Sequence, residues 1–375
     1  MAGIYIHIPF CKQACHYCNF HFSTLLKLKN DFLQALLKEM LTRKDYLVQE
    51  PIQTIYFGGG TPSLLQEEEI YAIMNLLKEE YIISPDAEIT LEANPDDISP
   101  GKAAAWRRQG INRLSIGIQS FFEEDLKWMN RAHTASQATD CIMMVQEEGI
   151  TNLSIDLIYG TPTLPDKHWI ENLNLAVSMN IPHLSCYALT VEPGTALDSM
   201  TRKKKVEAVS NEDQARQFLI MTDLLQARGY DHYEISNLAL PGKKSAHNSA
   251  YWKGISYSGF GPSAHSFNGI SRQWNVANNA QYIQSLDGNE IPFEIEMLST
   301  DQRFNEYIMT SLRTMEGTDI RHAGLTFGEN FSAELVKNAA PFIQKEWLSL
   351  QNDKLILTRE GKLFADGIAA DLFAG

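Results

Sequence analysis

Long apolar runs are missing from this 375-residue chain, and so is any excess of positive charge. The first absence removes the membrane-spanning helix, which needs about 20 consecutive apolar residues. The second is a balance of 32 Lys and Arg against 46 Asp and Glu, a net charge of −14 that opposes a broad nucleic-acid footprint. Basic residues cluster only at Arg202 to Lys205 and at Lys243 and Lys244, which read as solvated loop charges. Cysteine is scarce too: five residues in all, too few for a disulfide-stapled secreted fold. The opening MAGIYIHIPF has no basic residue before an apolar stretch, so no signal peptide is expected and the default location is the cytoplasm. What is present is apolar content, 44% of residues, enough for a large core and one or two smaller modules.

The first two thirds alternate short apolar runs with helical patterns, the signature of strand-helix units around a parallel sheet. Six runs read as strands: IYIHI from Ile4, TIYF from Thr54, EITL from Glu88, INRLSIGI from Ile111, NLSIDLI from Asn152 and HLSCYAL from His183. Between them Leu33, Leu36, Leu37, Met40 and Leu41, then Ile70, Ile73, Met74 and Leu77, recur at helical spacing. Ser99 with Pro100 opens a helix expected to end at Gly110, and Thr134 opens another expected to end at Gly149. Such α/β units either curl into a partial (β/α)6 barrel of the TIM type or lie flat as a doubly wound sheet, and periodicity does not choose. Either way, ligand chemistry belongs at the carboxyl ends of the strands. Residues 1–230 form this unit, 231–290 an irregular Gly-, Ser- and Asn-rich extension, and 291–375 a smaller α+β module. In that module WLSL, a turn at Asn352 and Asp353, KLILT and a helix from about Arg359 follow helical stretches in a winged-helix-like order.

Three of the five cysteines, Cys11, Cys15 and Cys18, stand in CKQACHYC directly after the first strand, with Lys12 and Gln13 read as spacers. Zinc would need a fourth ligand, from His7, His16 or His21. A four-iron cluster held by three thiolates would instead leave one iron open to a small molecule. Cys141 and Cys186 fall on an apolar helix stripe and a strand, as core residues do. Polar residues also end the later strands: YFGGGTP after the second, Glu92 in EANP, Gln119 in GIQS and Asp156 in DLIYG. A Gly-rich turn alone reads more readily as a tight βα connection than as a ligand loop; polar side chains at one end of successive strands are what a ligand site needs.

The CxxxCxxC loop with Tyr17 before its third cysteine resembles the radical S-adenosylmethionine (SAM) superfamily, in its coproporphyrinogen III dehydrogenase-like branch. That resemblance implies the partial barrel and a 4Fe-4S cluster on Cys11, Cys15 and Cys18. It further implies SAM on the open iron, cleaved after electron transfer to methionine and a deoxyadenosyl radical. It places Tyr5 and Tyr17 against the cofactor, Gly59, Gly60 and Thr61 at the methionine end, and Glu92, Gln119, Arg131 and Asp156 at the carboxylate or ribose. Arg131, read from residues alone, is equally a surface arginine.

Within that branch the oxidative decarboxylases resemble CxxxCxxCxC, whereas this chain has Asn19 and Phe20 after Cys18 and begins almost at its first strand. Both departures point away from a coproporphyrinogen dehydrogenase, or another porphyrin- or heme-modifying enzyme, and toward the heme chaperones of the branch. The stretch AHNSAYWKG resembles their HNxxYW motif, so His247, Asn248, Tyr251 and Trp252 are implied in heme binding; an ordered loop covering the barrel explains the same residues. His265 is a further heme candidate, and His133 and His183 read as structural. The resemblance implies as partners heme, acceptor hemoproteins such as those of respiratory chains, and an electron donor. It leaves a homodimer open.

Overall fold

The structure is a computed structural model that describes residues 2–48 and 50–375. All six expected strands are present: β1 Ala2–Ile8, β2 Ile52–Gly59, β3 Ile83–Ala93, β4 Arg113–Gln119, β5 Leu153–Tyr159 and β6 His183–Ala188. They pair in sequence order and in parallel. No order reversal occurs, as a partial barrel requires and a doubly wound sheet does not. Residues following β1 and residues of β6 line one cavity. Five strand spacings of about 4.8 Å would hold those ends about 24 Å apart in a flat sheet, so the sheet curls.

Alternation along each strand gives the two faces different chemistry. Outward go Ile55 and Phe57, Ile89 and Leu91, Leu114 and Ile116, Ile155 and Leu157, all buried in the principal core. The helices that cover this face include α1 Lys29–Thr42, α2 Glu67–Glu80 and α3 Pro100–Gln109. Inward go Tyr5, Tyr56, Glu88, Glu92, Arg113, Ser115, Asp156, His183 and Ser185, so the lumen is lined by polar and aromatic groups. Helix α3 begins as expected, with Ser99 Oγ accepting from Lys102 N–H, and stops before Gly110. The helix opened by Thr134 spans Ala135–Glu147 and carries a capping box with Gln137. Short helices at Glu123–Trp128 and Ala196–Arg202 carried too few apolar repeats to be legible in the sequence.

Segment 231–290 attaches to both sheet edges. Asp231–Glu234 and Asn237–Ala239 extend the β6 edge antiparallel, while Tyr257–Phe260 pairs in parallel with β1. The chain crosses between the edges through helix Ala246–Trp252, which therefore runs beneath the lumen. A buried carboxylate fastens this segment to α1: Glu39 accepts from Arg43 Nη1 (3.0 Å), Asn275 Nδ2 (2.7 Å), Tyr282 Oη (2.6 Å) and the Gly261 N–H (2.8 Å). Phe293–Met297, sequentially in the last module, is the outermost strand of the main sheet. Beyond it a second core gathers Phe304, Ile308, Leu335, Leu355 and Ile368. Its elements run helix, strand, helix, helix, strand, strand, the winged-helix order, with the hairpin turning at Asn352 and Asp353 (φ +48° and +60°). The last helix begins at Ala365, later than the expected Arg359, because a 3-10 turn at Gly361–Phe364 precedes it.

Candidate functional site

The cysteine loop leaves β1 at Ile8 and is fastened from several sides. Lys12 forms ion pairs with Asp96 (2.7 Å) and Asp97 beyond β3. Gln13 Nε2 donates to Asn130 (2.9 Å), and Asn130 Nδ2 returns a bond to the Ala14 carbonyl (2.7 Å). Lys12 and Gln13 are thus anchors and not spacers. The backbone N–H of His16 donates to the Met129 carbonyl, and its ring nitrogen Nδ1 lies 2.8 Å from the Trp128 carbonyl.

Cys11, Cys15 and Cys18 are free thiols, and all three face a cavity of about 420 Å3 at the carboxyl ends of the strands. Tyr17, Gly59, Gly60, Thr61, Glu92, Gln119, Arg131 and Asp156 line the same cavity. Eleven residues from six separate stretches of chain therefore meet in one place. Gly59 makes the sharp exit from β2: its φ is +106°, and a Cβ there would lie 2.5 Å from the His7 ring. Gln119, at the end of β4, holds a left-handed φ of +64° that costs energy in a non-glycine residue and re-aims the chain at the cavity.

Arg131 is the hub. Its Nη1 points at Cys15 Sγ (3.2 Å) and the Tyr17 hydroxyl (3.4 Å), and its Nη2 donates to Asn94 Oδ1 (2.7 Å) and the Gly117 carbonyl (2.8 Å). Its Nε is buried with no protein partner. Asn94 also donates to Thr61 Oγ1 (3.2 Å), whose hydroxyl points at Cys11 Sγ (3.4 Å). Burial pushes the Cys11 thiol up to about 11. Opposite, burial raises Glu92 to about 7, against the hydrogen bond from the Tyr56 hydroxyl (2.7 Å), and raises Asp156 to about 6. Neither carboxylate has a salt-bridge partner among the described residues. Three thiols, an unsatisfied guanidinium N–H and two buried acids without an ion-pair partner fit a cluster with a ligand that brings positive charge and hydroxyls. SAM is such a ligand.

The zinc alternative fares worse, because each histidine that would complete it is engaged elsewhere. His7 Nε2 meets the His21 carbonyl (2.9 Å), His21 Nε2 meets Asn279 Oδ1 (2.7 Å), and His16 is held as above. None of the three lines the cavity.

Two groups of expected residues lie elsewhere. Tyr5 sits one layer down the lumen, its ring 6.2 Å from Tyr56 and 6.5 Å from His247. The HNxxYW residues belong to the helix beneath the lumen, at the opposite end of the strands. His247 is 2% exposed; its Nδ1 lies 2.8 Å from Thr54 Oγ1 and its Nε2 2.9 Å from the Tyr251 hydroxyl. Glu88 accepts the Ala246 and His247 backbone N–H groups, fixing the helix start. Asn248 and Trp252 are half-buried, with the Arg313 guanidinium 5.6 Å from the Trp252 ring. His265 is exposed, and His133 and His183 are buried and hydrogen-bonded. Cys141 and Cys186 lie in the core. Residues the sequence did not single out also line the cavity, among them Asn94, Ser115, Gly117, Tyr187 and Glu192. Alternation would have found two of them, since Ser115 and Gly117 share the inward register of Gln119 on β4.

Residues 5–176 match the family model of the radical SAM superfamily, and residues 298–364 that of the HemN C-terminal domain. The chain is 33% identical to the heme chaperone HemW of Mycobacterium tuberculosis (strain ATCC 25618 / H37Rv), over 99% of this chain and 94% of that protein. It is 31% identical to the heme chaperone HemW of Bacillus subtilis (strain 168), over 98% of each. It is 32% identical to that of Escherichia coli (strain K12), over 98% of this chain and 96% of the relative. Among solved structures, coproporphyrinogen III oxidase (HemN) from Escherichia coli, a radical SAM enzyme, superposes with a TM-score of 0.86. That match has 23% identity and covers 100% of this chain and 90% of the other, a likeness of fold.

Proposed function

The chain belongs to the radical SAM superfamily, in the family of the heme chaperone HemW, and from that membership we propose that it carries heme to acceptor hemoproteins while retaining a cluster and SAM site. The observation that carries the cofactor part is the cavity, which three thiols share with the Arg131 fork and with two buried carboxylates that have no ion-pair partner among the described residues. Cys11, Cys15 and Cys18 would hold the 4Fe-4S cluster. Gly59, Gly60 and Thr61 would meet the methionine end of SAM, and Glu92, Gln119, Arg131 and Asp156 its carboxylate or ribose. When bound, the cluster and SAM supply one-electron chemistry.

The residues of this chain do the rest. Arg131 sets the spacing between the cysteine loop and the β3 and β4 ends by bridging Cys15, Asn94 and Gly117. The Lys12 and Gln13 anchors keep the loop over the cavity. Phe20 stands where the decarboxylase pattern has a further cysteine, and it is a cavity-lining residue 67% exposed to solvent. That is an apolar rim in place of a thiol, suited to holding a macrocycle rather than to donating a proton or ligating iron. Heme ligation by His247 would require the helix Ala246–Trp252 to leave the lumen, because both ring nitrogens are already engaged.

Oxygen-free reconstitution with iron and sulfide tests the reading. We expect a brown protein that binds SAM and heme and leaves coproporphyrinogen III unchanged. Decarboxylation of coproporphyrinogen III with SAM turnover would overturn the chaperone assignment, and protein that stays colourless and iron-free would overturn the cofactor assignment.

A further inference from the structure

The HNxxYW residues and the cofactor cavity lie at opposite ends of the strands, yet side chains connect them without a break. The His247 imidazole stacks on the Tyr56 ring, with centroids 4.9 Å apart and planes at 21°. The Tyr56 hydroxyl at the far end of that ring donates to Glu92 Oε1 at 2.7 Å. Glu92 lines the cavity. Tyr56 thus spans from the lower helix to the site, touching the motif with its face and the acid with its tip.

The packing leaves this column little freedom. A Cβ on Gly58 would lie 2.9 Å from the Tyr56 ring, 3.0 Å from the Tyr5 ring and 3.2 Å from Glu92 Oε1, so only glycine lets the three groups converge. His247 cannot rotate without giving up Thr54 on one nitrogen or Tyr251 on the other. A neutral imidazole held by two hydrogen bonds is a rigid platform, and the phenol ring resting on it has one orientation available.

We infer that His247 is a positioning residue for the SAM site: by holding the Tyr56 ring it directs the Tyr56 hydroxyl to Glu92 and fixes the carboxylate that meets the cofactor. The inference rests on the reading of Glu92 as a SAM contact. It gives the motif a role from inside the barrel that does not require heme to touch it.

The test is a set of SAM and heme titrations on anaerobically reconstituted protein, with cluster content measured on each sample. His247→Ala and Tyr56→Phe should each weaken SAM binding about tenfold, and the double variant should be no weaker than either single, because one column carries both effects. His247→Gln, which retains a donor and an acceptor, should recover part of the loss. Trp252→Ala, which alters the motif without touching Tyr56, should bind SAM as the parent does. A merely structural lesion would lower cluster content and add to Tyr56→Phe. Parental SAM affinity in His247→Ala, or additive losses in the double variant, would overturn the inference. Should His247→Ala fail to fold, His247→Gln with Tyr56→Phe carries the same cycle. Loss of heme with unchanged SAM binding would make the motif a heme site and sink the inference while leaving the chaperone reading standing. A parent protein that binds SAM but no heme would sink the chaperone reading alone.

Discussion

Replacing Glu92 by Gln should stabilise the cofactor-free protein above neutral pH and weaken its hold on SAM. Burial raises this acid from an ordinary 4.5 to about 7. A raised acid favours the fold fully below 4.5 and loses that contribution as pH climbs to about 7, where the buried group is forced to ionise. At 1.36 kcal/mol per pH unit the interval amounts to ~3 kcal/mol against the native state above pH 7. Glutamine keeps an oxygen for the Tyr56 hydroxyl at nearly the same volume and never acquires the charge. In a chain of this size ~3 kcal/mol corresponds to roughly 5 °C in Tm. Thermal unfolding of reduced, metal-free protein at about pH 5 and about pH 8 is the assay. The variant should match the parent at the lower pH and exceed it at the higher. Some pH slope should persist, because Asp156 is likewise raised, to about 6. Equal midpoints at about pH 8 would refute the claim that the cavity stores an uncompensated charge awaiting a cationic ligand.

Cys15→Ser should abolish the visible absorbance of the cluster and leave the far-ultraviolet circular dichroism unchanged, since the thiol lies on a loop outside the core. Arg131→Lys retains the charge but cannot reach Cys15, Asn94 and Gly117 together, so SAM affinity should fall about tenfold in an equilibrium titration. Lys12→Ala leaves buried Asp97 without its cation and loosens the cysteine loop, so iron should be lost faster to a chelator while Tm shifts little. Reconstitution should release protons and become more favourable with rising pH, because the Cys11 thiol, pushed up to about 11, must ionise to bind iron.

The sequence carried the outer face of the barrel more plainly than the inner one. Each of the six barrel strands announced itself through residues such as Ile55 and Phe57 or Leu114 and Ile116, because packing against helices demands apolar groups at period two, whereas the edge strands of 231–290 did not. Cys11 to Cys18, Gly59 and Glu92 were legible because each ends a strand or follows one, where a parallel barrel gathers ligands. Asn94 and Tyr187 were not, since their weight comes from partners distant in the chain, Arg131 for the first and the cavity for the second. The burial of His247 was equally hidden. A motif with an imidazole, two aromatics and an amide reads the same on a surface as under a lumen, and only the crossing of residues 240–256 from one sheet edge to the other decides between them. Tyr5 shows the same ambiguity one layer higher.

That crossing also dictates an order of events during synthesis. Strand β1 leaves the ribosome first, yet its outer neighbour begins only at Tyr257, and the helix that closes the underside arrives just before it. Until then the earliest strand presents a bare edge and the lumen stands open beneath its tyrosines. A nascent chain halted before Ala246 should therefore be readily cut by protease and prone to stick to others of its kind. Completion of about fifteen further residues, through Phe260, seals edge and underside together.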